Sequence, residues 1–366
     1  MNISIRPIRT CLPREGLENL PANARLLIIR LRSMGDTILL TPSLRMLHEW
    51  RPDLKVSLLL DRPWAELLAG NPDVEQIIVA GSKISTILRV RRERFDAVIN
   101  LHGGPSSAQI TRFSGAGLRA GMAQFRSRGS YNLIVPRTQD IFSGGQIKGG
   151  HTAFHTAEHA ALVFGWLGMP LRTIPPAQLF PASAARESVL RKLAPHSGGP
   201  ARYAVIHPAA LYASKRWSAR GFAEIASHLA ERHGLQPIFL GAQEDEASVR
   251  EVERAQGKTL VRALGWPIGE MLALIAGAQL FLGNDSGPAH AAAALGVPVA
   301  VIFGSSSSVL WGPWRAAASA IIQNQFACNP CPGDRCHAFG EPRCILSIET
   351  EQVRRTVDKL LTPKSE

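Results

Sequence analysis

The chain has 366 residues, enough for two domains of ordinary size, each with its own core. Its 45% hydrophobic and 19% charged content is that of a soluble globular protein, and no apolar run reaches the ~18 residues a membrane span needs. The net charge of +12, mainly arginine, asks for an anionic partner such as nucleic acid, a phosphorylated glycolipid or an acidic membrane surface. The sequence shows no zinc-finger spacing, basic helix or basic-aromatic RNA-binding signature, which ranks nucleic acid low.

Residues 1–23 carry Arg6, Arg9, Pro13, Arg14 and Glu15 in place of a signal peptide's apolar core, and read as a poorly ordered N-terminal extension. From Arg25 the chain alternates apolar runs with amphipathic segments. Leu26 to Ile29 is a buried strand, followed by a turn at Ser33-Met34-Gly35-Asp36 and a helix through Trp50. Val56 to Leu60, Gln76 to Val79 and Ala97 to Asn100 follow as strands. Short strands unbroken by polar residues belong to a parallel sheet covered on both faces. A helix from about Thr152 to Gly168 closes this half, and the Pro-, Ser- and Gly-rich residues 169–200 form the passage between domains.

A second series then begins. Strands Tyr203 to Ile206, Pro237 to Leu240, Leu280 to Leu282 and Val299 to Phe303 alternate with helices Gly221 to His233, Glu246 to Gln256, Ile268 to Gly277 and Ala289 to Leu295. The expected architecture is α/β: two Rossmann-like, doubly wound domains over 24–180 and 181–366, facing across a cleft, with the last helix packing back on the N-terminal domain. Ligands of such sheets collect at the carboxyl ends of the strands, where Asp36, His207 and Asp285 all fall.

The stretch Asn284-Asp285-Ser286-Gly287-Pro288-Ala289-His290 is the most informative. A Ser-Gly-Pro turn entering a helix aims free N–H groups and the positive helix end at one point, which suits a phosphate. Asp285 beside it can accept from sugar hydroxyls, although an ordinary capped helix has the same pattern. Asp36 is open to the same two readings, a helix cap or a carboxylate that takes a proton from a sugar hydroxyl. His207-Pro208 follows a strand, and Lys215-Arg216-Trp217 lies just before a helix, where the cations can neutralise a diphosphate or simply be solvated. Carboxylates within Gly241 to Glu246 suit a ribose, and Ser305 to Ser308 form a hydroxyl-rich loop.

In order and spacing these pieces resemble the ADP-heptose heptosyltransferases, glycosyltransferase family 9. The resemblance runs from about Arg25 to Leu361. It is carried by Leu27 to Asp36 with Thr41-Pro42, Asn71-Pro72-Asp73-Val74, His207-Pro208 with Lys215-Arg216-Trp217, Asn284 to His290, and Phe303-Gly304. It implies a GT-B fold and metal-independent inversion, with ADP-heptose as donor and a phosphorylated glycolipid of the lipopolysaccharide inner core as acceptor. Asp36 would be the general base and Lys215 would stabilise the departing diphosphate. Ser286, Gly287, Pro288, Ala289 and His290 would hold the phosphates, with His207 nearby. Asp285 would contact the donor sugar, Asp245 the ribose and Trp266 the adenine, with Arg32, Arg62 and Arg119 on the acceptor side. No cofactor is implied for catalysis. The expected location is cytoplasmic, peripheral on the anionic inner face of the inner membrane. The same fold with another nucleotide sugar or a protein acceptor, or an inactive nucleotide-sugar-binding homologue, are the alternatives. The chain departs from some relatives in carrying Ala209-Ala210 where they have hydroxyl residues, and in its basic extension.

Two clusters stand apart. Cys328, Cys331, Cys336 and Cys344 are close enough in sequence for a four-thiolate zinc or iron site of structural type, or are plain reduced thiols. His151, His155 and His159 recur at four-residue intervals and so share one face of the expected helix.

Overall fold

The computed structural model describes residues 16–141, 145–146, 152–197, 202–331 and 334–362. The chain divides into two compact units, residues 1–178 and 179–366. Residues 1–15 of the expected extension lie outside the described residues. From Gly16 onward the backbone is fastened: Leu17 is fully buried, its N–H donates to the Leu167 carbonyl at 2.7 Å, and the Arg51 guanidinium donates to the Leu17 carbonyl at 3.0 Å.

In the first unit the order is β1 (Arg25–Ile29), α1 (Met34–Ile38), α2 (Thr41–Trp50), β2 (Lys55–Leu60), α3 (Arg62–Ala65) and β3 (Gln76–Val79). It continues with α4 (Lys83–Arg92), β4 (Ala97–Asn100), α5 (Pro105–Phe113), β5 (Leu118–Met122), β6 (Leu133–Val135) and α6 (Thr138–Ile141). A short antiparallel pair, β7 (Gly145–Gln146) and β8 (Thr152–Ala153), precedes α7 (Thr156–Trp166). The six-stranded sheet runs β3-β2-β1-β4-β5-β6, parallel throughout. One face packs Leu27, Ile29, Leu59 and Val98 against Val90 of α4 and Ile110 of α5.

The second unit repeats the plan. It runs α8 (Ser183–Ser197), β9 (Tyr203–His207), α9 (Ala219–His233), β10 (Gln236–Gly241), α10 (Glu246–Gln256), β11 (Val261–Leu264) and α11 (Ile268–Ala276). Then come β12 (Leu280–Asn284), α12 (Gly287–Ala294), β13 (Val299–Ile302), α13 (Ser308–Trp311), β14 (Ser319–Ile322), α14 (Arg343–Leu346) and α15 (Thr350–Leu361). Its sheet order is β11-β10-β9-β12-β13-β14, again parallel. Helix α9 buries Phe222, Ile225, Ala226 and Leu229, the stripe its sequence predicts, and ends at Gly234 with φ +61°, a left-handed cap that glycine adopts without steric cost. Helix α15 packs within this unit, its Val353 and Val357 fully buried in the same core as Phe222 and Ile302. No helix among the described residues is long and apolar enough to cross a membrane.

The shared strand order means that growth of each sheet reverses once, placing β1 beside β4 and β9 beside β12. Loops leaving the carboxyl ends there run to opposite faces and open a crevice. Backbone groups at such a fork have lost their ladder partners and need others. In each unit a fully buried asparagine supplies them. Asn100, ending β4, accepts from the N–H groups of His102 (2.9 Å) and Gly103 (3.0 Å) and donates to Thr111 Oγ1 and Tyr131 OH. Asn284, ending β12, donates to the Pro208 carbonyl (2.8 Å) and accepts from the Trp217 N–H (3.1 Å).

Replacing Asn284 by Ala strands both of those backbone groups in the interior, at a cost of about 2–4 kcal/mol. The urea midpoint of the second unit should fall with no change of slope; an unmoved midpoint would show that Asn284 bears no such load.

Candidate active site

The loop after β1 sets the first cluster. Ser33 is the N-cap of α1, and Asp36 closes a capping box: the Ser33 N–H (3.3 Å) and Oγ (3.1 Å) both donate to Asp36 Oδ2. The second oxygen, Oδ1, is ion-paired with the Arg30 guanidinium, which also donates to the Leu101 carbonyl. The helix-cap reading of Asp36 is thus met by one oxygen, while the other faces a cation. His102, just beyond β4, is kept neutral by burial and by the charges of Arg30 and Arg32, with Asp61 and Asp36 pulling the other way. That balance places the charges of Arg30, Arg32, Asp36 and Asp61 around one imidazole at the carboxyl ends of β1, β2 and β4.

Arg62 opens α3 just after β2 and is exposed, as is Arg32. Arg119 is placed differently. It is the second residue of β5, level with Val98 and so toward the amino ends of the strands, and its guanidinium donates to the Ala116 carbonyl at 2.6 Å. The histidine series is also not a helical face. Helix α7 begins at Thr156 and His155 is its cap, with Nδ1 accepting from the Ala157 N–H at 3.1 Å; His151 lies outside the described residues. His159 shares a 2.8 Å hydrogen bond with Thr138 Oγ1, and burial together with Arg30 lowers its pKa.

In the second unit the predicted residues form a row along the carboxyl edge of the sheet. Trp266 follows β11, Asp245 follows β10, His207 ends β9, Asp285 follows β12 and Ser305-Ser306 follow β13. Four inter-strand steps of ~4.8 Å make the row about 19 Å long, the scale of a nucleotide sugar and not of a bare phosphate. At its centre Lys215 Nζ lies 2.7 Å from Asp285 Oδ2, and Ser306 Oγ donates to the same oxygen at 2.5 Å. The Asp285 side chain is nearly buried. Ser286 caps α12, a helix start being a place where an anion is favoured, and its Oγ is buried with no hydrogen-bond partner among the described residues. His207 Nδ1 lies 3.0 Å from the Leu240 carbonyl, which can only accept, so Nδ1 carries the proton. Burial pushes the pKa of this imidazole down and leaves Nε2 as an acceptor.

Three residues are partly committed elsewhere. Asp245 Oδ2 accepts from the Ala242 N–H at 2.9 Å, leaving Oδ1 for a ligand. One face of the Trp266 ring is covered by Lys192 Nζ at 4.6 Å. Arg216 donates to the Ala210 carbonyl at 2.8 Å, so it braces the loop while Lys215 faces Asp285. Reading by residue type overlooked Arg30, Ser33 and His102 as site residues; the usable signal was the position of each beside a strand end.

The cysteine segment lies behind the β13 loop. The Cys331 N–H donates to the Ser305 carbonyl at 3.0 Å, and Asn329 Nδ2 to the Gly304 carbonyl at 3.0 Å. Burial raises the Cys344 thiol, and Cys331, Cys328 and Cys336 push it the same way. Four thiols suit zinc or iron in kind, but among the described residues no three of these sulfurs come within 4.8 Å of one another.

A family profile for glycosyltransferase family 9 (heptosyltransferase) matches residues 84–339, well over half of the chain. Lipopolysaccharide heptosyltransferase 3 of Escherichia coli is 26% identical over 303 residues, covering 78% of this chain and 84% of that protein. Among solved structures, a glycosyl transferase family 9 protein from Veillonella parvula superposes with a TM-score of 0.77 at 22% identity, covering 92% of this chain and 97% of that one. The ADP-heptose LPS heptosyltransferase II of E. coli follows with 0.74 at 20%, covering 92% and 98%.

The state of His207 makes a pH prediction. Folding buries it neutral, whereas in the unfolded chain it titrates near its ordinary ~6.5. Its contribution is therefore complete above that value and is lost as pH falls through it toward the lower folded pKa. His207→Asn, which keeps an N–H toward Leu240, should reduce the loss of unfolding free energy between pH 7 and pH 5. Parallel curves for the two proteins would sink the assignment.

Proposed function

Because the chain belongs to glycosyltransferase family 9, the heptosyltransferase family, we propose that it is a metal-independent, inverting enzyme that moves heptose from ADP-heptose to the lipopolysaccharide inner core. The observation that carries the reading is the Lys215–Asp285–Ser306 cluster at the centre of a row with the length of a nucleotide sugar. Lys215 and Asp285 are ion-paired. A diphosphate competes for Lys215 and frees Asp285 to accept from sugar hydroxyls. The phosphates take the N–H groups at the start of α12 and the Ser286 hydroxyl. His207 Nε2 and the free oxygen of Asp245 accept from the ribose side, and the adenine lies by Trp266.

In the first unit Asp36 takes the acceptor's hydroxyl proton as that oxygen attacks the anomeric carbon. The bond to the diphosphate breaks on the opposite face, and the charge that develops there falls to Lys215. Arg30 positions the Asp36 carboxylate through their ion pair. Arg32 and Arg62, both exposed, offer charge to acceptor phosphates. Arg119 is left out of this role by its place at the other end of β5.

Helix α4 supports a peripheral location on the inner membrane. Ile84 and Leu88, one turn apart, are 70% and 63% exposed, and Lys83, Arg89, Arg91 and Arg92 surround them. A surface that pairs apolar side chains with cations suits an anionic lipid headgroup layer.

Asp36→Asn should bind ADP-heptose as the natural protein does while kcat falls ~10²–10⁴-fold; undiminished turnover would remove Asp36 from the mechanism. In a melting assay, ADP or ADP-heptose at ~100 times Kd should stabilise the fold by about 2.7 kcal/mol, and Asp285→Ala should abolish most of that gain. A preference for UDP or GDP conjugates would overturn the donor, and a folded sample that answers to no nucleotide would point to a non-catalytic homologue.

A further inference from the structure

Away from these residues, two histidines and an aspartate converge on a single point. His228 and His233 lie toward the end of α9, and Asp358 lies on α15. The Nε2 atom of each imidazole is 2.6 Å from the same oxygen, Asp358 Oδ1. The rings stand nearly perpendicular, at 77°, with centroids 5.5 Å apart. The three potential ligand atoms all fall within 4.8 Å of one another, and His228, His233 and Asp358 form the one such set of His, Cys, Asp or Glu among the described residues. The side chains are 15%, 19% and 39% exposed, sunk into the surface but reachable from solvent.

A carboxylate oxygen only accepts, so each contact as it stands uses a proton on Nε2. Two imidazole nitrogens and one anionic oxygen aimed at a common point are also the donor set of a borderline divalent cation. We propose that His228, His233 and Asp358 form a zinc-type divalent metal site that clasps α15 to α9. Ligand bonds of ~2.0–2.1 Å at tetrahedral angles put the donor atoms about 3.3 Å apart. The two imidazoles need withdraw from Oδ1 by less than about 1 Å to admit the ion, which is within the reach of side-chain torsions. One dication replaces the two Nε2 protons, which move to Nδ1 or to solvent, and water completes the coordination. Calcium and magnesium, which take oxygen ligands, fit poorly.

The clasp acts on an element that supports the catalytic sheet. Helix α15 buries Val353 and Val357 in the core shared with β12 and β13, and Trp217 Nε1 donates to the Ile348 carbonyl just ahead of it at 2.9 Å. A metal there fastens the helix against the sheet whose strand ends carry Asp285 and Ser306, and touches neither. The site has no linear signature, because its third ligand comes from a helix more than a hundred residues along the chain.

The test is a titration of untagged, chelator-stripped full-length protein with Co²⁺ and Zn²⁺. One equivalent of Co²⁺ should give visible d–d bands without the near-ultraviolet absorption of cobalt–thiolate bonds, and Zn²⁺ should displace it and raise Tm. Affinity should drop by at least the ~10–100-fold that loss of a mere outer-sphere partner costs in both His233→Gln and Asp358→Asn. His228→Gln, which keeps an N–H toward Asp358, serves if either of those fails to fold. Cobalt bound as tightly by the variants as by the natural protein, bands carrying the thiolate signature, or no binding by the folded natural protein would each overturn the proposal.

Discussion

Each sheet turns on a buried asparagine at the strand end where its growth reverses. A parallel sheet satisfies its backbone along the ladder, but at the reversal adjacent loops part company and their N–H and C=O groups face one another without partners. A primary amide carries two donor hydrogens and a separate acceptor oxygen at the end of one short side chain, so it can meet an N–H and a C=O at once. Asn284 uses both halves, tying Pro208 just past β9 to Trp217 ahead of α9. The intervening segment carries Lys215, so the bond that satisfies the fork also sets the distance from Lys215 to Asp285, the next residue along. Asn100 does the corresponding work after β4 for the loop bearing His102.

With those loops fixed, the electrostatics of the two units take one form. A chain of net charge +12 presents its key carboxylates already paired, Asp36 with Arg30 and Asp285 with Lys215. Neither carboxylate is well exposed, and burying a charge without a partner is costly. Pairing also cancels the charge of each carboxylate locally.

Much of this was legible from residue patterns because buried parallel strands announce themselves. β1, β2, β4, β9 and β12 are mostly apolar, almost wholly buried runs bounded by turns. The strands that escaped notice are interrupted or marginal. β5 carries Arg119 and a glycine, Gly121, whose added Cβ would sit 2.5 Å from the Tyr131 ring; β6 has three residues, and β11 and β14 lie at sheet edges with polar or exposed positions. Helix α4 was missed as a basic helix because its arginines interleave with Ile and Val in a pattern resembling a strand. The three histidines failed as a helical face because His155 is used as a cap, a role that spacing alone cannot separate from a place inside the helix. Asp36 was undecidable in sequence for a physical reason: a carboxylate has two oxygens, and here one caps while the other meets Arg30.

The last third of the second unit departs from strand-helix alternation, yet it bears on the site from behind. Gln323 Nε2 donates to the Gly304 and Ser306 carbonyls, Asn329 to Gly304 again, and the Cys331 N–H to Ser305. Every carbonyl of the Gly304–Ser306 loop is thereby held by the irregular segment that follows β14. That loop supplies the hydroxyl on Asp285. A three-residue loop cannot satisfy its own carbonyls, so the fold spends an otherwise featureless stretch in doing so. The cysteines of that stretch therefore matter to the site through the backbone that carries them, whatever their thiols bind. The same logic extends to α15: elements that never touch substrate hold the sheet edge on which substrate would lie.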